Sequence, residues 1–213
     1  ARLHAQHIID GEQKTISLAA TEQFNMRAAA ANLLFDIAYE QWLTGAIDEK
    51  EEAFQRVTKT RAALDRFLSG NKESALALNA DARIALGQER FREAATLFEQ
   101  QIFIDSNPTP DTLRAAAHAL EKSNQTGLAL ERINQAIKTD PMGLRHYIAK
   151  AQLLGRMGRP EQGIQALESL PRGLQSESKE IRELKDSLRM LSRTGDTSGS
   201  LITDPVLRVV REA

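Results

Sequence analysis

Between Leu76 and Leu170 the chain writes one pattern three times, and this repetition restricts the fold more than any other feature. Ala94, Ala129 and Gly163 hold the same place in each copy, at steps of 35 and 34 residues. Twelve residues before each anchor stand Ala82, Ala117 and Ala151; sixteen before stand Leu78, Leu113 and Tyr147. Nine before stand Ala85, Leu120 and Leu154. One after come Ala95, Leu130 and Ile164, and four after come Phe98, Ile133 and Leu167. Seven after come Gln101, Ala136 and Leu170, where only Gln101 breaks the apolar rule. A period of this length holds two helices and two short turns. One such pair cannot bury both its apolar faces, so pairs must stack. Small residues at 82/117/151 and 94/129/163 let the two helices of a pair cross closely. Larger residues at 78/113/147 and 98/133/167 fill the space between pairs.

Apolar periodicity predicts helices over about 72–87, 90–104, 109–122, 126–138, 142–157 and 160–169. Turn signals separate them: Asn107-Pro108, Ser123-Asn124, Asp140-Pro141, Gly158-Arg159-Pro160 and Pro171-Arg172-Gly173. Pro141 and Pro160 suit first-turn positions. On these residues the pattern resembles the tetratricopeptide repeat family. That family shows small residues at both crossing positions, a large apolar residue four beyond the second, and Pro after the second helix. Pro141 matches that Pro; one repeat earlier Ser106 stands in its place, with Pro108 two later. The family's Trp-Leu-Gly start and Gly-Asp-Tyr turn are mostly missing, and only Gly158 keeps the turn glycine. The resemblance covers residues 76–170. It implies an all-α, right-handed helical-repeat solenoid whose work is binding. Some members clamp a carboxylate tail with a Lys/Asn set. Here Asn79, Ala115, Ala149, Arg83 and Asp111 stand in five of those places, and the set is not matched.

The flanks fall into three further parts. Residues 1–71 form an N-terminal helical hairpin that caps the three pairs of 72–174. Its first helix runs from about Lys14 to Thr44, where Leu18, Phe24, Ala28, Leu33, Leu34, Ile37 and Trp42 recur at helical spacing. Gly45 ends it, and Asp48 opens a second helix with Phe54, Val57, Leu64, Phe67 and Leu68 as its buried stripe. Trp42 reads as packing at the helix end, with a ligand platform as the other option. Residues 175–193 form a capping helix with Ile181, Leu184, Leu188 and Leu191 on one stripe. Residues 194–213 are a Gly/Ser/Thr-rich linker and a short apolar tail carrying Val206, Leu207 and Val210. The tail is expected to dock on its own chain or to give a weak homodimer, the plainer alternative being that it begins the next domain of a longer chain.

Charge and composition then exclude whole classes of function. A net charge of −1 predicts no bulk attraction to nucleic acid or membrane. Without cysteine there is no disulfide and no thiolate metal site. Apolar runs are too short for membrane insertion by this segment. His4 and His7, three apart, make a weak metal pair and read as surface residues. No phosphate loop, HExxH or nucleophile elbow is present, so neither a cofactor nor catalysis is expected. The chain begins at Ala, which suits a piece of a longer, membrane-anchored polypeptide in a bacterial cytoplasm or periplasm.

First helices of stacked pairs line the concave side. Their outward positions carry Asn79, Arg83, Asp111, Arg114, His118, Lys122, Arg145, Gln152 and Arg156. Five of these are fixed cations, which predicts a groove for a protein or an acidic, carboxylate-bearing peptide. The plainer alternative is a solvated face whose Arg and Lys pair with the abundant Glu. The function expected is a non-catalytic protein–protein interaction scaffold. Two other readings stay open: an accessory domain of a membrane-bound polysaccharide or glycan polymerase or ligase, and a module of a sensory protein.

Overall fold

A computed structural model describes residues 10–68, 74–174 and 179–194; the tail, His4 and His7 lie outside them. Those residues form helices and turns, with no strand. The chain divides into two compact units, one through Ala80 and one from Asp81.

The first unit is a helical hairpin of α1 (Asp10–Thr44) and α2 (Lys50–Phe67), joined by a short 3₁₀ turn at Ile47–Glu49. Its contact face is built from small and aromatic residues. Ala28, Ala31, Phe35, Ala38 and Tyr39 of α1 are buried, with Ala53, Val57 and Leu64 of α2. Alanines let the two backbones approach, and Phe35 fills the space between them. At the closed end Trp42 packs on Tyr39 and Phe54, with ring centroids 5.9 Å and 5.0 Å away. That is a packing role. The large aliphatic residues of α1 behave otherwise: Leu33, Leu34 and Ile37 are exposed. Helical spacing alone did not separate the two stripes.

α3 (Ala75–Gly87) carries the unit boundary within it. The second unit continues with α4 (Phe91–Ile104), α5 (Pro110–Lys122), α6 (Thr126–Thr139), α7 (Leu144–Arg156), α8 (Pro160–Glu168) and α9 (Lys179–Thr194). From α4 to α9 each helix packs on the next, which is the helical-repeat arrangement. The register of the sequence is the register of the core. Ala82, Ala117 and Ala151 are buried, and so are Ala94 and Ala129. Phe98, Ile133 and Leu167 are buried four residues beyond the anchors. Even Gln101, the polar exception, is buried at 5% exposure.

Gly163 shows how close the crossing is. A Cβ there would lie 2.9 Å from the backbone oxygen of Ala151, its partner twelve residues earlier, and 3.2 Å from Leu188 of α9. α9 lays Leu184, Leu188 and Leu191 against Ile148, Ala151 and Leu167. Arg182, Glu183, Asp186 and Arg189 stay exposed on its outer side. Pro160 opens α8, but α7 begins only at Leu144, so Pro141 belongs to the preceding turn. Asp140 holds that turn: its carboxylate accepts from Met142 N at 3.2 Å, and its carbonyl accepts from Gly143 N at 3.2 Å.

One turn recurs within every pair. Glu89, Asn124 and Gly158 have φ of 60°, 67° and 71°, at steps of one repeat. Behind each, the next amide donates to a carbonyl five residues back: Arg90 to Ala85, Gln125 to Leu120 and Arg159 to Leu154, all at 2.8 Å. This is the left-handed helix stop that glycine favours. Glu89 adopts it at a cost of about 1 kcal/mol. Glu89→Gly is therefore expected to raise stability by roughly 0.5–1 kcal/mol. Urea denaturation followed by circular dichroism checks this, and a lower midpoint would count against it.

Candidate functional site

The first helices of the second and third pairs, α5 and α7, touch directly. On α5 the stripe is Asp111, Arg114, His118 and Lys122; Asp111 and Lys122 are exposed, Arg114 and His118 half-buried. On α7, Arg145 is exposed, Arg156 half-buried and Gln152 buried. Arg83 lies half-buried on α3 in the same unit. Asn79 belongs to the other unit, where it is half-buried. Local chemistry sets α5: Thr109 caps it by accepting from Thr112 N at 3.2 Å, and Pro110 is its first residue.

Acids hold two of the cations in place. Arg114 Nη2 donates to Asp111 Oδ1 at 3.1 Å, while its Nε is buried without a partner. Arg156 forms a two-pronged pair with Glu121 of the previous repeat, donating from Nε to Oε1 and from Nη2 to Oε2, the latter at 2.8 Å. This pair is well enclosed, with 22% and 12% of the two side chains exposed. His118 meets the edge of Phe91, with ring centroids 6.3 Å apart. Lys122 also borders an open hollow of about 510 Å3, lined by Arg90, Phe91, Arg92 and Glu93 at the neighbouring turn.

A second inter-repeat pair makes the chemistry of Arg156 plain. Arg132 of α6 donates from Nε and Nη2 to Glu99 of α4 and from Nη1 to Gln135, so all three nitrogens are used. The Glu99 hydrogen bonds hold its guanidinium above the ordinary value, against the burial that opposes them. Arg156 spends only two nitrogens on Glu121, and its Nη1 has no partner among the described residues. The guanidinium is fixed by Glu121 with a donor edge to spare, which a carboxylate can engage. Glu121 lies off the outward stripe. Its signal in the sequence is the spacing of 35 residues to Arg156, about one repeat, which joins an acid to a base.

No group of three or more His or acidic residues among the described residues is placed to hold a metal. None of their helices is long and apolar enough to cross a membrane. No protein-family model matches the sequence, and no curated protein matches it. Four chains of known structure do match. One is YrrB, a tetratricopeptide-repeat protein described as having an unusual peptide-binding site. The match has a TM-score of 0.54 and 14% identity, over 84% of this chain and 93% of YrrB. Its three helix pairs, small-residue crossings and closing helix give this chain the tetratricopeptide-repeat fold.

Proposed function

We propose that the chain is a non-catalytic interaction scaffold that holds a protein or peptide partner along α5 and α7, anchored by carboxylates. The observation that carries this is the spare donor edge of Arg156, held by Glu121; the same two helices also carry Arg114 and the exposed Arg145. An arginine fixed in advance loses little freedom on binding, so its hydrogen bonds to a ligand are worth more. YrrB, which shares the fold, is described as a peptide binder. That supports the class of partner and leaves its sequence open.

Peptide-array screening of the wild type against Arg114→Glu/Arg145→Glu tests the reading. Each charged hydrogen bond is worth about 1.5–3 kcal/mol, so the double variant should bind acidic peptides at least ~10-fold more weakly. Affinity should also fall as salt rises. Equal binding by both proteins, flat in salt, would sink it.

A further inference from the structure

The junction between the second and third helix pairs cannot form the ion pair that bridges the first and second. At the earlier junction Arg132 of α6 reaches back to Glu99 of α4 and also meets Gln135. One repeat later Ala166 stands in the place of Arg132, at a step of 34, and Asn134 in the place of Glu99, at a step of 35. Neither can carry charge. A cation enters from a third position instead. Lys150 of α7 stands 34 residues after Ala116 of α5, which is fully buried. The later junction thus loses both members of the bridge and gains a lysine on its first helix.

An open hollow of about 360 Å3 lies here, lined by Lys150 and by Gln162, Gln165, Ala166 and Ser169 of α8. Ala166 and Ser169 are the counterparts of Arg132 and Gln135, so the hollow opens where the earlier bridge is anchored. Lys150 is half-buried and makes no ion pair or hydrogen bond with any described residue. Gln162 and Gln165 are exposed, and their side-chain amides are likewise unengaged among the described residues. Ser169 turns its hydroxyl inward, donating to the Ala166 carbonyl at 2.7 Å. None of the lining residues is acidic. A partly desolvated ammonium without a counter-charge is unfavourable, and a carboxylate arriving from outside removes that cost. At about 100° per residue, Lys150 lies roughly 120–160° around α7 from Arg145, Gln152 and Arg156, so it serves a different face from the groove stripe. We propose that this hollow takes a carboxylate side chain of a protein partner, with Lys150 as the charged contact and Gln162 and Gln165 as amide donors. The partner supplies the acid that Glu99 supplies within the chain one repeat earlier.

Side-chain NMR on the isotope-labelled full chain tests this, with a capped tetraglutamate peptide as the probe and capped tetraglutamine as its neutral control. The amide signals of Gln162 and Gln165 should move saturably with the acidic peptide and stay in place with the neutral one. Lys150→Met keeps the bulk of the side chain and removes the charge, so it should weaken that response at least ~10-fold. Ala166→Arg should do the same by refilling the hollow in the way that Arg132 fills the earlier junction. Ala166 is buried, so if that variant does not fold, Lys150→Met decides alone. Signals that do not move in the wild type overturn the proposal, and so does an equal affinity in Lys150→Met. Deleting residues 195–213 separates a partner from the chain's own acidic tail end. Signals that move on deletion, with no peptide present, would assign the hollow to that tail and overturn the role of a partner; signals that stay support it.

Discussion

Phe98→Ala is expected to cost about 3–5 kcal/mol, the largest loss available from one side chain in the second unit. Phe98 is fully buried in α4. Its buried cluster contains Ala82, Ala85, Ala94, Ala95, Ala116, Ala117, Ala119 and Ala129, with Leu120, Ile133 and Leu153 as the other large buried members. Alanines cannot swing into the space that a phenyl ring leaves, so a cavity lined by them largely persists. Leu113→Ala should follow at about 2–5 kcal/mol. Urea denaturation monitored by helix content measures both. A loss below about 1 kcal/mol for Phe98→Ala would mean that the pairs do not pack through this residue.

Glu121→Ala is expected to cost about 2–4 kcal/mol, because it leaves the enclosed Arg156 guanidinium without a counter-charge. Some exposure remains at the arginine, so the figure lies below that for a fully buried pair. The same change at Glu93, whose pair with Arg90 is about half exposed on both sides, should cost less than ~1 kcal/mol. A double-mutant cycle with Arg156→Ala separates the pair from its surroundings. Coupling near zero would show that the two side chains do not act together. Peptide binding provides a second reading. Arg156→Lys keeps the charge and loses the spare edge, so it should weaken a carboxylate ligand more than it weakens the fold.

The repeat made most of the second unit legible before any coordinates. Position families such as 82/117/151 and 98/133/167 carry one physical instruction each, small at the crossing and large between pairs. Three repetitions raise that instruction above local noise. The turns were less legible. Glu89 and Asn124 take the left-handed conformation that Gly158 advertises, because the hydrogen bonds of the helix stop outweigh the strain. Spacing singled out Arg114 and Arg156 on the first helices of neighbouring pairs but could not reveal which acids reach them. Glu121 comes from another stripe, and only the stacking of pairs brings it to Arg156. α1 misled for a different reason. It has two apolar stripes, and a search for one periodic face merges them.

The outer face of α9 differs from every face that joins the repeats. From α4 to α8 each helix packs on the next, and the same crossing and filling positions recur from pair to pair. A further pair could therefore be copied into such a chain, or one lost from it, without inventing a new interface. α9 matches the array on one side and offers Arg182, Glu183, Asp186 and Arg189 on the other, an asymmetry suited to a helix that ends such an array. Its inner side can be inherited from a repeat, while its outer side must be selected against becoming one.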